Sequence, residues 1–196
     1  PAGDTLFIEK GTTVKFIDNY NLTVNGVLIA DGDSLERIEF TSGKTVNRAG
    51  DWGSIILNAP GSVIRYANYK YSTNGIYGNY ANRTIIEHCN FSNMVTAANG
   101  VVFNSSRDLR INHNDFQLLQ GIGISASYSR TSQVNFNKIS TASTSAAISC
   151  DYTDSSQINY NDIKGRPEMG ISGVYMHNNE IIGNNLSIAE LVTYNI

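Results

Sequence analysis

The sequence predicts an all-β fold, a right-handed parallel β-helix of roughly eight coils, and three observations support this prediction. A polar template recurs about every 23 residues, a second β-rich segment follows each copy, and no helical periodicity interrupts them. A unit this short cannot bury its own apolar face, so the units must stack and pair their strands in parallel. Leucine-rich repeats and β-propellers fit less well, because leucine is sparse and a propeller blade needs about 40 residues.

The repeated template reads apolar, polar, aromatic or His, Asn, polar, apolar. Its copies are VIRYANY (63–69), TIIEHCNF (84–91), LRINHNDF (109–116), QVNFNKI (133–139), QINYNDI (157–163) and MHNNEI (176–181). We expect the closing apolar residue to point inward in each copy, at Tyr69, Phe91, Phe116, Ile139, Ile163 and Ile181. We expect Asn114, Asn137 and Asn161 to turn one corner of each coil, because Asn tolerates a left-handed backbone and stacked amides can hydrogen-bond between coils.

The second β-rich track runs in phase with the template. Its members are GSIIL (53–57), GIY (75–77), GVVF (100–103), GIGIS (121–125), AAISC (146–150) and GIS (170–172). Each coil therefore holds at least two short strands separated by turns. We interpret 1–196 as a single domain, with 1–50 as divergent opening coils and 182–196 as a terminal coil or cap, and we expect it to be part of a longer surface protein.

Composition excludes some partners. The net charge is −3 and no run of Lys or Arg occurs, so nucleic acid is not an expected partner. No apolar stretch approaches the ~20 residues that a membrane-spanning helix needs. Cys89 and Cys150 lie between two and three coils apart, roughly 10 Å along the axis, which predicts two free, buried thiols.

The repeats resemble those of the pectin-lyase-like superfamily of right-handed β-helices. The segments that carry the resemblance are the I-x-x-N-x-I type repeats at 111–116 and 158–163 and the opening stretch from IEKGTTVKF to GDWGSIIL. The second of these looks like the first coils of bacterial or archaeal cell-surface proteins. The resemblance implies the fold and an extracellular or cell-surface location, but the superfamily includes lyases, glycosidases, adhesins and spacers.

Candidate catalytic groups are few. Lyases of this superfamily hold Ca²⁺ with carboxylates and use Arg or Lys as a base, and its hydrolases pair two carboxylates. The closest set here is Asp151, Asp154, Lys164, Arg166 and Glu168. Its spacing is not diagnostic, and polar turn residues explain it as well. No cofactor is expected, apart from Ca²⁺ if the chain is a lyase.

Aromatic residues offer a binding alternative. His88 and His113 share one template position with Tyr66, Phe136 and Tyr160, which favours a stacked column over a metal site. In RYANYKYSTNGIYGNY we expect Tyr66 and Tyr69 to point inward, and Tyr71, Tyr77 and Tyr80 to be able to stack on sugar rings. Trp52 in GDWG is expected to plug a corner.

These observations predict a non-catalytic extracellular or cell-surface module, either a structural spacer or a domain that contacts a polysaccharide or cell-surface glycan. The alternative is a polysaccharide lyase or glycoside hydrolase acting on an acidic polysaccharide through the five polar residues above.

Overall fold

The structure, a computed structural model, describes residues 3–118, 120–142 and 146–188. Within these ranges 21 short strands, numbered in chain order, form three parallel sheets. Sheet A contains β1 (Thr5–Ile8), β4 (Val27–Asp31), β7 (Val63–Arg65), β10 (Ile85–Glu87), β13 (Arg110–Asn112) and β16 (Gln133–Asn135). Sheet B contains β2 (Thr13–Phe16), β5 (Ile38–Ser42), β8 (Ala67–Lys70), β11 (Asn90–Ser92), β14 (Asp115–Gln117), β17 (Lys138–Thr141), β19 (Asp162–Gly165) and β21 (Asn185–Ile188). Sheet C contains β3 (Leu22–Val24), β6 (Ile55–Leu57), β9 (Ile76–Asn79), β12 (Val101–Asn104), β15 (Ile124–Ser127), β18 (Ala146–Ser149) and β20 (Met169–Ser172).

The chain runs from sheet A to B to C and back to A, and each strand pairs in parallel with its copy in the next coil. This is a right-handed parallel β-helix of about eight coils with about 23 residues per coil, as the sequence predicts. The opening strands β1 to β5 pair into the same three sheets as the later strands. Residues 189–196, where part of the predicted terminal coil or cap falls, lie outside the described residues.

The core is a set of stacked inward columns. The largest column contains the closing residues of the template, and Phe40, Tyr69, Phe91 and Phe116 lie in it with ring centroids 4.6–4.9 Å apart. Ile139 and Ile163 continue the column and are buried, as predicted. Each coil buries its apolar face on its two neighbours, so burial and strand pairing stabilise the same stack.

The predicted asparagine ladder is present and buried. The Nδ2 of Asn114 donates to the Oδ1 of Asn137 at 3.0 Å, and Asn137 donates to Asn161 at 3.0 Å. The same Oδ1 atoms also accept backbone N–H groups: the Oδ1 of Asn137 accepts the N–H of Asn114, and the Oδ1 of Asn161 accepts the N–H of Asn137. Asn184 adds a further member in the next coil. The ladder therefore satisfies buried backbone groups at the corner between sheets A and B.

The left-handed residue at this corner is not the asparagine, which corrects the prediction. It is the residue before it, and the residues in this position have φ between 47° and 58°: Tyr66, His88, His113, Phe136 and Tyr160. A second set of asparagines precedes them, and Asn135 and Asn159 receive backbone bonds in the same way as Asn112 does. Hydrogen bonds on both sides hold the left-handed residue in place, so aromatic residues and His are accepted there.

This corner also explains why the predicted inward orientation of Tyr66 is wrong. Tyr69 is buried as predicted, but Tyr66 lies outside and is partly exposed. Strand alternation would place Tyr66 on the same side as Ile64, because they are two residues apart. The left-handed residue breaks that alternation and turns the template into two strands, one in sheet A and one in sheet B.

The last repeat is also shifted from the predicted register. Ile163 pairs with Leu186, not with the predicted Ile181. Glu180 pairs with Gln157, which in turn pairs with Gln133 on β16 of sheet A. The final copy of the template is therefore centred on Asn184, 23 residues after Asn161. The sequence MHNNEI resembles the template by composition, but it lies at a different corner.

The remaining core predictions are confirmed. Cys89 and Cys150 are free and buried, and burial raises the pKa of each thiol to about 12. Trp52 is fully buried, stacks on Phe16 with centroids 4.2 Å apart, and donates its Nε1–H to the carbonyl of Lys70.

None of the described residues forms a helix able to cross a membrane.

Candidate functional site

The outward residues at the corner between sheets C and A form a surface feature that repeats from coil to coil. Equivalent left-handed residues with φ of 50–55° follow successive strands of sheet C: Tyr80, Ser105, Tyr128, Tyr152 and Tyr175. We call this set the tyrosine column. The backbone N–H of each member from Tyr80 to Tyr152 donates to the carbonyl just before the next member, at 2.8–3.1 Å. The column is therefore in one continuous register.

The tyrosine rings are exposed and stacked on one another. Tyr128 and Tyr152 are 4.6 Å apart between centroids, and Tyr152 and Tyr175 are 4.9 Å apart. Their faces point along the axis of the helix and cover each other, while their edges and hydroxyls face solvent. Stacked aromatic rings on a rigid scaffold lose little freedom when they bind a ligand.

A second outward row runs beside the tyrosine column, two residues further along each coil. Its members pair in parallel from coil to coil: Arg107, Arg130, Asp154 and His177. Within the described residues, the guanidinium groups of Arg107 and Arg130 form no ion pair, and both side chains are exposed. They are free to bind carboxylates through their planar fork of N–H donors.

Two cavities lie along this corner and share Arg130. One, of about 290 Å³, is lined by Tyr80, Asn82, Ser105, Ser106, Arg107, Tyr128 and Arg130. The other, of about 550 Å³, is lined by Arg130, Tyr152, Thr153, Asp154, Tyr175, His177 and Asn178. The first has two cationic side chains and no carboxylate in its lining, whereas the second also contains an acid.

Of the predicted ligand-binding tyrosines, the structure brings two to this side of the molecule. Tyr80 is the first member of the tyrosine column and is 67% exposed. Tyr77 lies half-buried on β9, three residues before Tyr80. Tyr71 lies just after β8, in the connection from sheet B to sheet C. The role of all three in binding remains a prediction.

Tyr128, Tyr152 and Tyr175 were not predicted from the sequence as part of this surface. The signal is the pattern Ile-Ser-x-x-Tyr, which occurs three times, at 124–128, 148–152 and 171–175. Its spacing of 24 and 23 residues equals the coil repeat, so it marks a column. These three tyrosines are far apart in sequence, so they do not form a local cluster like that at 66–80.

The five candidate catalytic residues are divided between two parts of the coil. Asp151 and Asp154 follow β18 at the corner between sheets C and A. Lys164 lies on β19 in sheet B, and Arg166 and Glu168 lie in the connection from β19 to β20. The cavity that Lys164 lines and the cavity that Asp154 lines have no lining residue in common.

Local contacts occupy several of these five side chains. The Lys164 ammonium lies 2.7 Å from Asp162, and this contact lowers the pKa of the Asp162 carboxyl. Asp151 accepts the backbone N–H of Val174 at 3.1 Å, and Asp154 accepts the hydroxyl of Ser155 at 3.0 Å. The arrangement shows how these residues fit into turns, and the enzymatic alternative remains a prediction.

The predicted stacked column of His88 and His113 is present at the corner between sheets A and B. Their rings are 4.9 Å apart and nearly parallel, and Tyr66 and Phe136 continue the stack on either side. Arg37 lies over the Tyr66 ring at 5.8 Å and donates to the carbonyl of Ala67. This column and Arg37 form part of a cavity of about 330 Å³.

Because the folded protein disfavours protonation of His88, its stability is expected to depend on pH. Burial, and then the neighbouring His113, lower the pKa of His88 below its usual value of 6.5. A lowered pKa in the folded state means that the unfolded chain binds more protons, so this contribution to stability is present above pH 6.5 and is lost as pH falls through the folded pKa. We expect the melting temperature to fall more steeply between pH 7.5 and 5 in the wild type than in His88→Phe.

Phenylalanine is a suitable replacement because Phe136 occupies the same position with φ of 58°. Thermal denaturation followed by circular dichroism across this pH range measures the effect. His177→Phe, at the other corner, serves as the matched control and should keep the slope of the wild type. Equal slopes for the wild type and His88→Phe would contradict the assignment.

The fold defines a right-handed parallel β-helix solenoid of the pectin-lyase-like type. Residues 36–194 match the model of the NosD family, described as periplasmic copper-binding protein (NosD). The chain belongs to the NosD family.

Comparison with curated proteins gives no match. Among solved structures, the chain is similar to the crystal structure of alginate lyase from Paenibacillus sp. str. FPU-7, with 8% identity and a TM-score of 0.40. The match covers 94% of this chain and 93% of that chain. A likeness of this degree says nothing about what the present chain binds.

The family description raises the question of copper, and the described residues do not fit a copper site. No three His, Cys, Asp or Glu side chains among them are grouped so that they could hold a metal ion. The stacked His88 and His113 cannot share one, because imidazole lone pairs lie in the ring planes and two planes at 3° to each other direct them in parallel. The two buried cysteines, Cys89 and Cys150, are free, and neither belongs to such a group among the described residues.

Proposed function

We propose that this chain is a non-catalytic extracellular β-helix module that contacts acidic carbohydrate through the corner between sheets C and A. One observation carries the proposal: exposed tyrosines lie in a fixed column beside two exposed arginines that have no ionic partner among the described residues. Tyrosine supplies ring edges and hydroxyls for sugars, and arginine recognises carboxylates.

The scaffold supports this proposal because it fixes the spacing of the side chains. Backbone hydrogen bonds set each member of the tyrosine column one strand spacing from the next, about 4.8 Å. A polymer that lies along the axis would therefore meet equivalent groups at regular intervals. Preorganised groups bind with a smaller entropy cost than flexible loops do.

The proposal is tested by affinity electrophoresis in native gels that contain polygalacturonate or, as the neutral comparison, galactan. We expect the wild type to be retarded by the acidic polymer only. The double variant Arg107→Gln, Arg130→Gln should bind about tenfold more weakly, because two charge-assisted contacts are removed. Arg48→Gln, at an exposed arginine in an early coil, is the one-charge control for the single variants Arg107→Gln and Arg130→Gln, and it should migrate like the wild type.

Each contrary result is informative. Free migration of the wild type through every acidic polymer would contradict carbohydrate contact. A cleared zone in the stained polymer would contradict the non-catalytic assignment and would favour the lyase or hydrolase alternative. Equal loss of retardation in Arg48→Gln would show that net charge, and not this corner, governs binding.

A further inference from the structure

The tyrosine column is interrupted at one position, where Ser105 replaces the aromatic residue. Tyr80 and Tyr128 lie on either side of it, one coil before and one coil after. Two strand spacings separate them, about 9.6 Å. The missing ring leaves the cavity of about 290 Å³ that both tyrosines line.

The gap has the size of one six-membered ring. A ring placed midway would lie about 4.8 Å from each tyrosine. This is close to the 4.6 Å between Tyr128 and Tyr152 and the 4.9 Å between Tyr152 and Tyr175 in the same column. From Tyr128 to Tyr175 the ring faces cover one another, whereas at the break the facing sides of Tyr80 and Tyr128 have no ring between them.

The polar lining of the gap indicates which substituent a ring bound there would carry. Arg107 and Arg130 lie beside it on successive coils, and the lining contains no carboxylate. The Ser105 hydroxyl forms no hydrogen bond to any described residue. An Asn82 oxygen accepts the backbone N–H of Arg107 at 3.0 Å, which fixes this wall of the cavity.

We propose that the gap at Ser105 is a binding subsite for a single uronate residue of an acidic saccharide. The pyranose ring lies between the faces of Tyr80 and Tyr128, and its carboxylate binds the guanidinium groups of Arg107 and Arg130. Ser105 leaves room for the ring and offers a free hydroxyl to it. This inference rests on the proposed function and specifies where on that corner the saccharide is held.

The subsite can be closed without disturbing the fold. Ser105 has φ of 50°, and Tyr128 and Tyr152 hold tyrosine at 53° and 55° in equivalent positions. Ser105→Tyr should therefore fold, complete the column and fill the gap with its own ring. We expect its melting temperature to be equal to or above that of the wild type, because a stacked ring is added on both sides.

The test is a titration of ¹⁵N-labelled protein with a galacturonic acid trimer, followed by amide chemical shifts. We expect saturable shifts near Ser105 in the wild type and in Ser105→Ala. We expect at least a roughly tenfold weaker affinity in Ser105→Tyr, and also for a neutral galactose trimer on the wild type. Ser140→Tyr, which adds a tyrosine to the exposed face of sheet B, is the matched control and should bind like the wild type.

Two results would overturn the subsite: no saturable shift in the wild type, or unchanged affinity in a folded Ser105→Tyr. The gel experiment separates this failure from failure of the proposed function. If polygalacturonate retards the wild type and Ser105→Tyr equally, but not the double variant Arg107→Gln, Arg130→Gln, the corner binds carbohydrate and the subsite is wrong. If the trimer saturates the wild type but no acidic polymer retards it, the subsite stands and contact with polysaccharide is wrong.

Discussion

Replacing Phe116 by alanine is expected to lower the free energy of unfolding by about 3–5 kcal/mol, the usual cost of removing a buried aromatic side chain. Phe116 is fully buried, and its ring stacks on that of Phe91 at 4.6 Å. The ring lies against Gly100, where even an added Cβ would come within 2.4 Å of it, so the surroundings are shaped around this ring. An alanine would leave a cavity in the middle of the stack that the rigid neighbouring coils cannot fill.

Urea denaturation followed by circular dichroism measures this loss. Phe136→Ala is the matched control, since its ring is 48% exposed in the outward column with His113 and Tyr160. We expect it to cost about 1 kcal/mol, the contribution of its stacking contacts. Similar losses for the two variants would contradict the division into an inward and an outward column.

Replacing Asn137 by alanine is expected to cost about 2–4 kcal/mol, because buried polar groups lose their partners. The Asn137 amide donates to the carbonyl of Ile111 at 2.8 Å and to Asn161, and its oxygen accepts two N–H groups of Asn114. Alanine leaves the backbone N–H of Asn114 buried without this acceptor. The site is fully enclosed, so water cannot take the place of the amide without opening the coil.

The matched control for this variant is Asn90→Ala. Asn90 also takes part in an amide contact between coils, donating to Asn68 at 2.8 Å, but it is exposed. Water can replace that contact, so the expected change is within about 0.5 kcal/mol. If the same denaturation experiment gave equal losses at the two positions, burial would not be the source of the ladder's contribution.

The family description and the function that we propose for this chain name different ligands, copper and acidic carbohydrate. The NosD family is described by copper, while the described part of this chain has no grouped ligands for a metal. In a solenoid the repeat that builds the fold lies inside, and the corner residues outside can change without disturbing it. Membership in the family therefore predicts the β-helix scaffold, whereas the role of the outward columns must be inferred from the residues of this chain.

The sequence by itself determined the fold class, the coil length and the inward column. Parallel stacking places equivalent residues one above another, so a period in the sequence is also a period in space. Phe116, Ile139 and Asn137 could be assigned for this reason, and free thiols at Cys89 and Cys150 followed from the same register.

Only the tertiary structure decided which residues are left-handed and which sides of the corners they occupy. Strand alternation predicts orientation within a strand, but it fails at a left-handed residue, so Tyr66 turned outward. The segment MHNNEI matches the template by composition alone, and only the pairing of Ile163 with Leu186 shows that it lies at a different corner. The gap at Ser105 is visible only once NSS at 104–106 is aligned with the tyrosine turns of neighbouring coils. A single serine gives no periodic signal in the sequence. Its position becomes informative in the structure, where backbone hydrogen bonds between coils place a tyrosine on either side of it.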